Sequence, residues 1–257
     1  MLLNVSVSLP ILLIAYLIPL IVYSLNYYGE LEKDADTNPE RVALVSRKGK
    51  SYPIFIGLYV LMLMVLVYLY ANISLIAFIV LLALSGLLYT VVFKNFTKKV
   101  PGLKNVYTSF VWAAGGTFFL VSYYSASISL AHLFIFIFMF TKSLVNVIFF
   151  DLKDMDADNR RGLRTIPVAL GTEKTFMLLH TLNILAFVPL LVGVVAGEMP
   201  VFALSLLALY AYTSMYLRRA KGLEAREIRL ASYTFAEAEI ILWPVLLAAG
   251  RAVAFFL

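Results

Sequence analysis

The stretch IFFDLKDMDADNRRGLRTIPVALG, residues 148–171, leaves a long apolar run and turns at once into four aspartates and three arginines. Asp151, Asp154 and Asp158 are spaced i, i+3, i+7, which puts them on one face of a helix. Asp156 falls off that face, and Arg160, Arg161 and Arg164 follow. Carboxylates beside a membrane are costly and are held there for a reason. A second cluster, Asn26, Glu30 and Asp34 at i, i+4, i+8 and followed by Asp36, closes the first apolar run. Hard cations take oxygen ligands, and Mg²⁺ commonly uses one or two carboxylates plus substrate phosphates. Two such stripes therefore point to divalent cations and a phosphorylated lipid. The plain alternative is solvated loop charge.

The runs that flank these clusters set the fold class. Of 257 residues, 62% are hydrophobic and 14% charged, with a mean hydropathy of +0.91; ordinary soluble domains are about 25% charged. A helix crosses a bilayer in about 20 apolar residues. Eight runs qualify, roughly Ser8–Tyr27, Pro53–Tyr70, Ile73–Phe93, Val106–Tyr123, Ile128–Phe150, Thr175–Ala196, Val201–Leu217 and Tyr233–Phe255. They are too long for the strands of a membrane barrel. The fold class is an all-α integral membrane bundle of about eight transmembrane helices, read as one domain over residues 1–257, with a tight turn expected at Ala71-Asn72. The first run lacks a basic leader and continues into the polar cluster, so it reads as a true span rather than a cleaved signal. With no cysteine, thiolate chemistry, disulfides and cysteine-bound zinc are excluded.

Basic residues are partitioned unequally. The segments 29–52, 94–105, 151–174 and 218–232 hold nineteen of the 21 Lys and Arg, and the connections near Asn72, Ser125 and Glu198 hold none. The four charged segments alternate with these, so they share one face, which the positive-inside rule makes cytoplasmic. The net charge of +6 is an orientation signal and does not imply nucleic acid.

Asp154-Met-Asp156-Ala-Asp158 could be taken for a calcium loop. That pattern wants Gly at its sixth and Glu at its twelfth position, where this chain has Asn159 and Thr165. The Asp-Gly and Ala-Arg pairs of phosphatidyltransferases are also missing. Asp151, Asp154, Asp158, Gly162, Thr165, Pro167 and Gly171 instead resemble, in register, the second aspartate motif of the UbiA family of intramembrane prenyltransferases. The first motif of that family, Asn-Asp-x-x-Asp-x-x-x-Asp then Pro-x-Arg, is similar to Asn26-Tyr27-x-x-Glu30-x-x-x-Asp34 then Pro39-Glu40-Arg41. Glu30 supplies a carboxylate one methylene longer, and neutral Tyr27 is not a Mg²⁺ ligand. The family usually has nine helices with this motif ending the second; here it ends the first run. The order of motif, four spans, motif and three spans agrees.

The resemblance implies a fold, a reaction and a site. An isoprenyl chain passes from a prenyl diphosphate to an aromatic or lipid acceptor in the bilayer, with Mg²⁺ as cofactor. Asn26, Glu30, Asp34, Asp151, Asp154 and Asp158 would hold metal, and Asp154, Asp158 and Lys104 would be catalytic. Asn26, Tyr27, Arg41, Tyr89, Lys94, Arg161 and Arg164 would contact substrate. Lys104 follows Pro101-Gly102, a turn able to aim it inward, whereas Lys98 and Lys99 read equally well as orientation charges. Lys142 and Asn146 stand one turn apart inside the fifth run. An ionisable group at such depth costs about 2.5–3.5 kcal/mol on insertion scales, so Lys142 faces the bundle, near substrate or paired with an acid, and Lys142 and Asn146 join the candidate substrate contacts. Glu237 and Glu239 enter the last run about 200° apart around the helix. His132 and His180 have no partner pattern and read as structural. The rival class is a transporter or non-catalytic scaffold of the same fold; carriers place ionisable groups at the midplane on broken helices, and here nearly all sit at one face.

The topology has a direct test. Single cysteines at Ser46, Ser51 and Ser232 are expected to label from one side of the membrane and a cysteine at Ser125 from the other; labelling of all four from one side would refute it.

Overall fold

The computed structural model describes residues 2, 7–29, 31, 39–49, 51–89 and 96–256. They form helices and, among the described residues, no strand. The helices are α1 (Leu9–Gly29), α2 (Pro39–Lys48), α3 (Ser51–Tyr70), α4 (Ile73–Leu88), α5 (Leu103–Tyr124), α6 (Leu130–Leu152), α7 (Met155–Arg160), α8 (Ile166–Leu170), α9 (Thr172–Leu185), α10 (Phe187–Val195), α11 (Ala208–Ala220), α12 (Ala225–Ala231) and α13 (Glu237–Phe256). A 3₁₀ segment, Val201–Leu207, leads into α11, and a π-helical segment, Ser232–Ala236, joins α12 to α13.

Six helical stretches among the described residues are long and apolar enough to cross a membrane: Leu9–Gly29, Ser51–Tyr70, Leu130–Leu152, Thr172–Val195, Val201–Ala220 and Ala225–Phe256. The third expected run forms α4, with 16 residues in its helix. The fourth forms α5, which at 22 residues is long enough but buries Asn105, Ser109 and Thr117 among its apolar side chains. The sixth and seventh runs are broken in ways their residues explain. Pro189 has no N–H and crowds the carbonyl four residues back, at Leu185, where α9 ends. Pro200 precedes the 3₁₀ entry to α11.

The chain divides into two compact units. Ser6–Ile79 holds α1, α2 and α3. Ile11, Ile14, Leu17 and Ile21 form one buried stripe on α1, and α1 packs along α3. Ala71 and Asn72 break the chain after α3, where the Asn72 side-chain oxygen accepts the Leu75 N–H at 2.8 Å. This Asn caps the next helix, as Asn commonly does.

The other unit, Val80–Leu257 with Met1–Val5, is built around α6. Its buried residues Ala131, Ile135, Phe138, Lys142, Val145, Phe149 and Leu152 recur at alternating steps of four and three, the spacing that keeps one stripe against neighbouring helices. Two apolar clusters lie along it. One gathers Phe149, Phe176, Leu179 and Tyr216; the other gathers Phe138, Phe187, Leu190, Leu206 and Leu209. Between them on α6 stands Lys142, only 2% exposed. Its ammonium lies 2.6 Å from Glu239 Oε1 and donates to Thr213 Oγ1 at 2.8 Å and Asn183 Oδ1 at 3.1 Å. Thr213 and Tyr216 donate to Glu239 Oε2 at 2.9 and 3.0 Å. One polar knot thereby ties α6, α9, α11 and α13.

The π-helical turn before Glu239 is held from both sides. Tyr212 donates its hydroxyl to the Phe235 carbonyl at 3.0 Å, and Asn146 donates to the Ala236 carbonyl at 3.1 Å. Side chains thus take up carbonyls that a π turn displaces from ordinary helical pairing.

Removing one member of a buried ion pair strands the other charge, at a cost of about 3–5 kcal/mol. Lys142→Met is therefore expected to lower the melting temperature in detergent sharply. The double variant Lys142→Met/Glu239→Leu, which strands no charge, should recover most of the loss. Equal melting of the single variant and the wild type would show that the pair does not hold these helices.

Candidate functional site

The site forms where the loop before α5 meets the loop between α6 and α8. Arg164 N–H donates to the Thr97 carbonyl at 3.2 Å, and Gly102 N–H donates to the Arg164 carbonyl at 2.7 Å. Gly102 adopts φ 74°, and a Cβ there would stand 2.7 Å from Ile166 Cγ1. The Pro101-Gly102 turn can therefore press against α8 only because residue 102 lacks a side chain.

That turn sets Lys104 and Asn105 at the start of α5, facing the last turn of α6. Lys104 Nζ donates to Asp151 Oδ1 at 2.9 Å and stands 3.7 Å from Asp158 Oδ2. Asn105, fully buried, donates to Asp151 Oδ2 at 2.8 Å and accepts the Ile166 N–H at 3.1 Å. Both Asp151 oxygens are thus engaged by α5. Burial alone would pull the Lys104 ammonium down, but Asp151 and Asp158 outweigh it and hold the group above the ordinary lysine range. Lys104 is a permanent cation here, suited to phosphate and not to accepting a proton.

Asp158 is placed by the way α7 ends. Gly162 adopts φ 69°; its N–H bonds the Asn159 carbonyl at 3.0 Å, and the Leu163 N–H bonds the Asp158 carbonyl at 2.9 Å. This pair of bonds is a Schellman cap, which needs a left-handed residue at the Gly position. The cap turns the chain back and leaves Asp158 3% exposed. Its Oδ2 is buried with no hydrogen-bond partner among the described residues. Burial pushes its carboxyl up to about 6; Lys104 opposes this, and Asp151 and Asp154 add to it. Asp154 lies beside the pair, with Oδ2 2.5 Å from Lys153 Nζ.

The remaining expected residues fall in several places. Tyr89 stacks on Tyr107 with ring centres 5.0 Å apart and is close enough to Lys104 to bear on its charge. Arg161 helps offset the Asp158 charge, and Arg164 is exposed while its backbone joins the two loops. Lys142 spends its N–H donors on protein acceptors, the acid-paired alternative, and Asn146 is bound to the π turn. Asn26 is exposed and Tyr27 half-buried on α1, with the Tyr27 ring 5.9 Å from that of Tyr23. Glu30, Asp34, Asp36, Lys94 and the Arg41 side chain lie outside the described residues. His132 accepts the Ser129 N–H at 3.0 Å and caps α6.

Asn105 and Glu239 are the residues that sequence reasoning passed over or left unassigned. Asn105 read as the end of a polar loop. A single Lys inside a span does call for an acid at matching depth, but which of Glu237 and Glu239 answers it depends on the turn of the last helix.

The donor set fits a hard divalent cation. Three carboxylates feel one another, one buried oxygen accepts no hydrogen bond from the described residues, and the nearby cations do not bring Asp158 back to its usual range. Among the described residues no three His, Cys, Asp or Glu converge on one point, so these residues would offer one or two carboxylates and leave the other positions to phosphate or water.

A model of the UbiA prenyltransferase family matches residues 2–236. The chain belongs to this family. It is thereby an integral membrane protein of the UbiA-like fold, and the family generally uses a divalent metal. Two solved structures share the fold. One is a digeranylgeranylglyceryl phosphate synthase, with a TM-score of 0.61 and 18% identity over 96% of this chain and 87% of that one. The other is an apo UbiA homolog from Aeropyrum pernix K1, with a TM-score of 0.61 and 16% identity over 97% of this chain and 91% of that one. No curated protein matches the chain.

Asn105→Leu would leave the Asp151 oxygen and the Ile166 N–H without partners. An orphaned buried polar group costs about 1–3 kcal/mol. The variant is expected to melt earlier and to be cut faster by protease between Lys153 and Arg164; unchanged cleavage would mean that Asn105 does not hold the two loops together.

Proposed function

We infer that this UbiA family member is a Mg²⁺-dependent prenyltransferase that moves an isoprenyl chain from a prenyl diphosphate to an aromatic or lipid acceptor, with its charged loops cytoplasmic. The observation that carries the reading is the permanent cation Lys104 between Asp151 and Asp158, with the buried Asp158 Oδ2 left without a hydrogen bond among the described residues. The fold shared with a digeranylgeranylglyceryl phosphate synthase favours a glycerol-phosphate lipid among the acceptors. Asp158 and Asp154 would hold Mg²⁺ on this side, with Asp151 oriented by Asn105 behind them. Asn26, Glu30 and Asp34 are assigned as metal ligands from their residue types and spacing.

Each group then has a task in the transfer. The C1–O bond of the donor breaks and its electron pair leaves with the diphosphate, so C1 becomes carbocation-like and the acceptor attacks it, losing a proton. Bound Mg²⁺ would supply the positive charge that stabilises the departing diphosphate. Lys104 would donate to a phosphate oxygen and, being always protonated, cannot take the acceptor's proton. Arg41, Lys94, Arg161 and Arg164 would add charge around the diphosphate, and Tyr27 and Tyr89 a hydroxyl each. The apolar bundle keeps water from the cation, and some of the chain's 19 Phe and 16 Tyr would face it with their rings.

The test is prenyl transfer by the purified protein, with several prenyl diphosphates against a panel of aromatic and glycerol-phosphate lipid acceptors, read by mass spectrometry. Asp158→Ala and Asp154→Ala are expected to lose nearly all turnover with melting little changed. Glu30→Gln should raise the Mg²⁺ requirement and slow transfer together, and Tyr27→Phe should do less. Normal turnover in Asp158→Ala would remove the diphosphate–metal reading, and a Glu30→Gln protein with unchanged Mg²⁺ dependence would take the first motif out of the metal site.

A further inference from the structure

We propose that the outer face of α11 binds a membrane phospholipid with an anionic headgroup. Along this helix runs a groove of about 460 Å³ lined by Tyr210, Ala211, Ser214, Met215, Arg218 and Arg219. These residues repeat every four positions in two adjoining rows, so the groove follows the helix axis. At 1.5 Å per residue it extends about 13 Å, close to the depth of one leaflet of a hydrocarbon core about 30 Å thick. It has the length and direction of an acyl chain lying against a span.

The chemistry changes along the groove as it does along a lipid. Tyr210 and Met215 give apolar walls, and Ala211 leaves room between them. Ser214 is buried; its hydroxyl accepts from Asn183 at 3.2 Å and donates to no group among the described residues. That leaves an O–H for an ester or headgroup oxygen. Beyond it Arg218, Arg219 and Lys221 are exposed, and none pairs with a carboxylate among the described residues. Arg218 and Lys221 also bear on the His180 ring of α9, so positive charge gathers at this end. The acids next in sequence are otherwise engaged, since Glu224 and Glu227 cap α12 reciprocally.

Orientation alone accounts for cations at the end of a span, but not for a leaflet-long groove beneath them with a hydroxyl at its neck that still has a proton to donate. A soluble anion would use the cations and leave the groove unused. An anionic phospholipid uses both. The assignment does not depend on prenyl transfer, and none of these residues belongs to the carboxylate site.

The test is native mass spectrometry of the full chain in detergent, titrated with phosphatidylglycerol or phosphatidylcholine of the same acyl chains. Wild type is expected to retain phosphatidylglycerol preferentially. Each surface cation near an anionic lipid is worth about fivefold in affinity, so Arg218→Gln/Arg219→Gln/Lys221→Gln should weaken phosphatidylglycerol about a hundredfold and leave phosphatidylcholine unchanged. Ala211→Phe fills the groove with the charges intact and should weaken phosphatidylglycerol as well. Lipid-free melting of both variants is the control for folding. No preference in the wild type, undiminished retention in either variant, or dimers that Ala211→Phe dissociates would each overturn the proposal, the last by assigning the groove to a second copy of the chain.

Discussion

Lys104 and Asp151 each sit at the wrong end of a helix. Lys104 is in the first turn of α5, where the helix dipole is positive, and Asp151 is in the last turn of α6, where it is negative. Each placement alone costs about 0.3–1 kcal/mol or more when partly buried. Together, at 2.9 Å, the two charges offset one another, and Asn105 completes the second Asp151 oxygen. The same node links the loop before α5 to α8 through Ile166 and so sets the frame against which α7 turns Asp158 inward. An arrangement that spends dipole energy to bring charges together is better explained by what the charges hold than by stability.

Two buried ionic sites in this unit are finished to different degrees. Around Lys142 the charges are closely paired: three protein groups surround the ammonium, Glu239 Oε1 is held among the described residues by the ion pair alone at 2.6 Å, and Glu239 Oε2 takes two hydroxyls. Such a knot fixes helix register. Around Asp158 the pairing is looser: the buried Oδ2 has no hydrogen-bond partner among the described residues, the Lys104 ammonium stands 3.7 Å away, and the carboxyl is held up near 6. The unfinished site lies at the polar end of α6 and the finished one lies inside the bundle. This division suits an enzyme whose charged leaving group stays at the interface while its apolar tail lies among helices.

Prolines and a π turn shape the last spans around that knot. Pro189 divides the sixth run, and the Ser232–Ala236 turn, held by Tyr212 and Asn146, sets the rotation of α13. That rotation brings Glu239, buried to 4% exposure, toward Lys142.

The membrane class, the all-helical fold and the inward-facing Lys142 follow from sequence alone, because run length and the cost of a buried ammonium are local properties. The turn at Pro101-Gly102 is local too, but the single helical face expected for Asp151, Asp154 and Asp158 does not form: α6 ends at Leu152 and α7 begins at Met155, so Asp151 and Asp158 stand on different helices. Tertiary structure alone decided that Asn105 holds Asp151, that Glu239 rather than Glu237 answers Lys142, and that Asp158 rather than Asp151 keeps an open oxygen. Those choices join residues dozens of positions apart. They depend on helix rotation and loop closure, to which a difference of two residues along a helix means about 200° around its axis, and no local pattern carries that information.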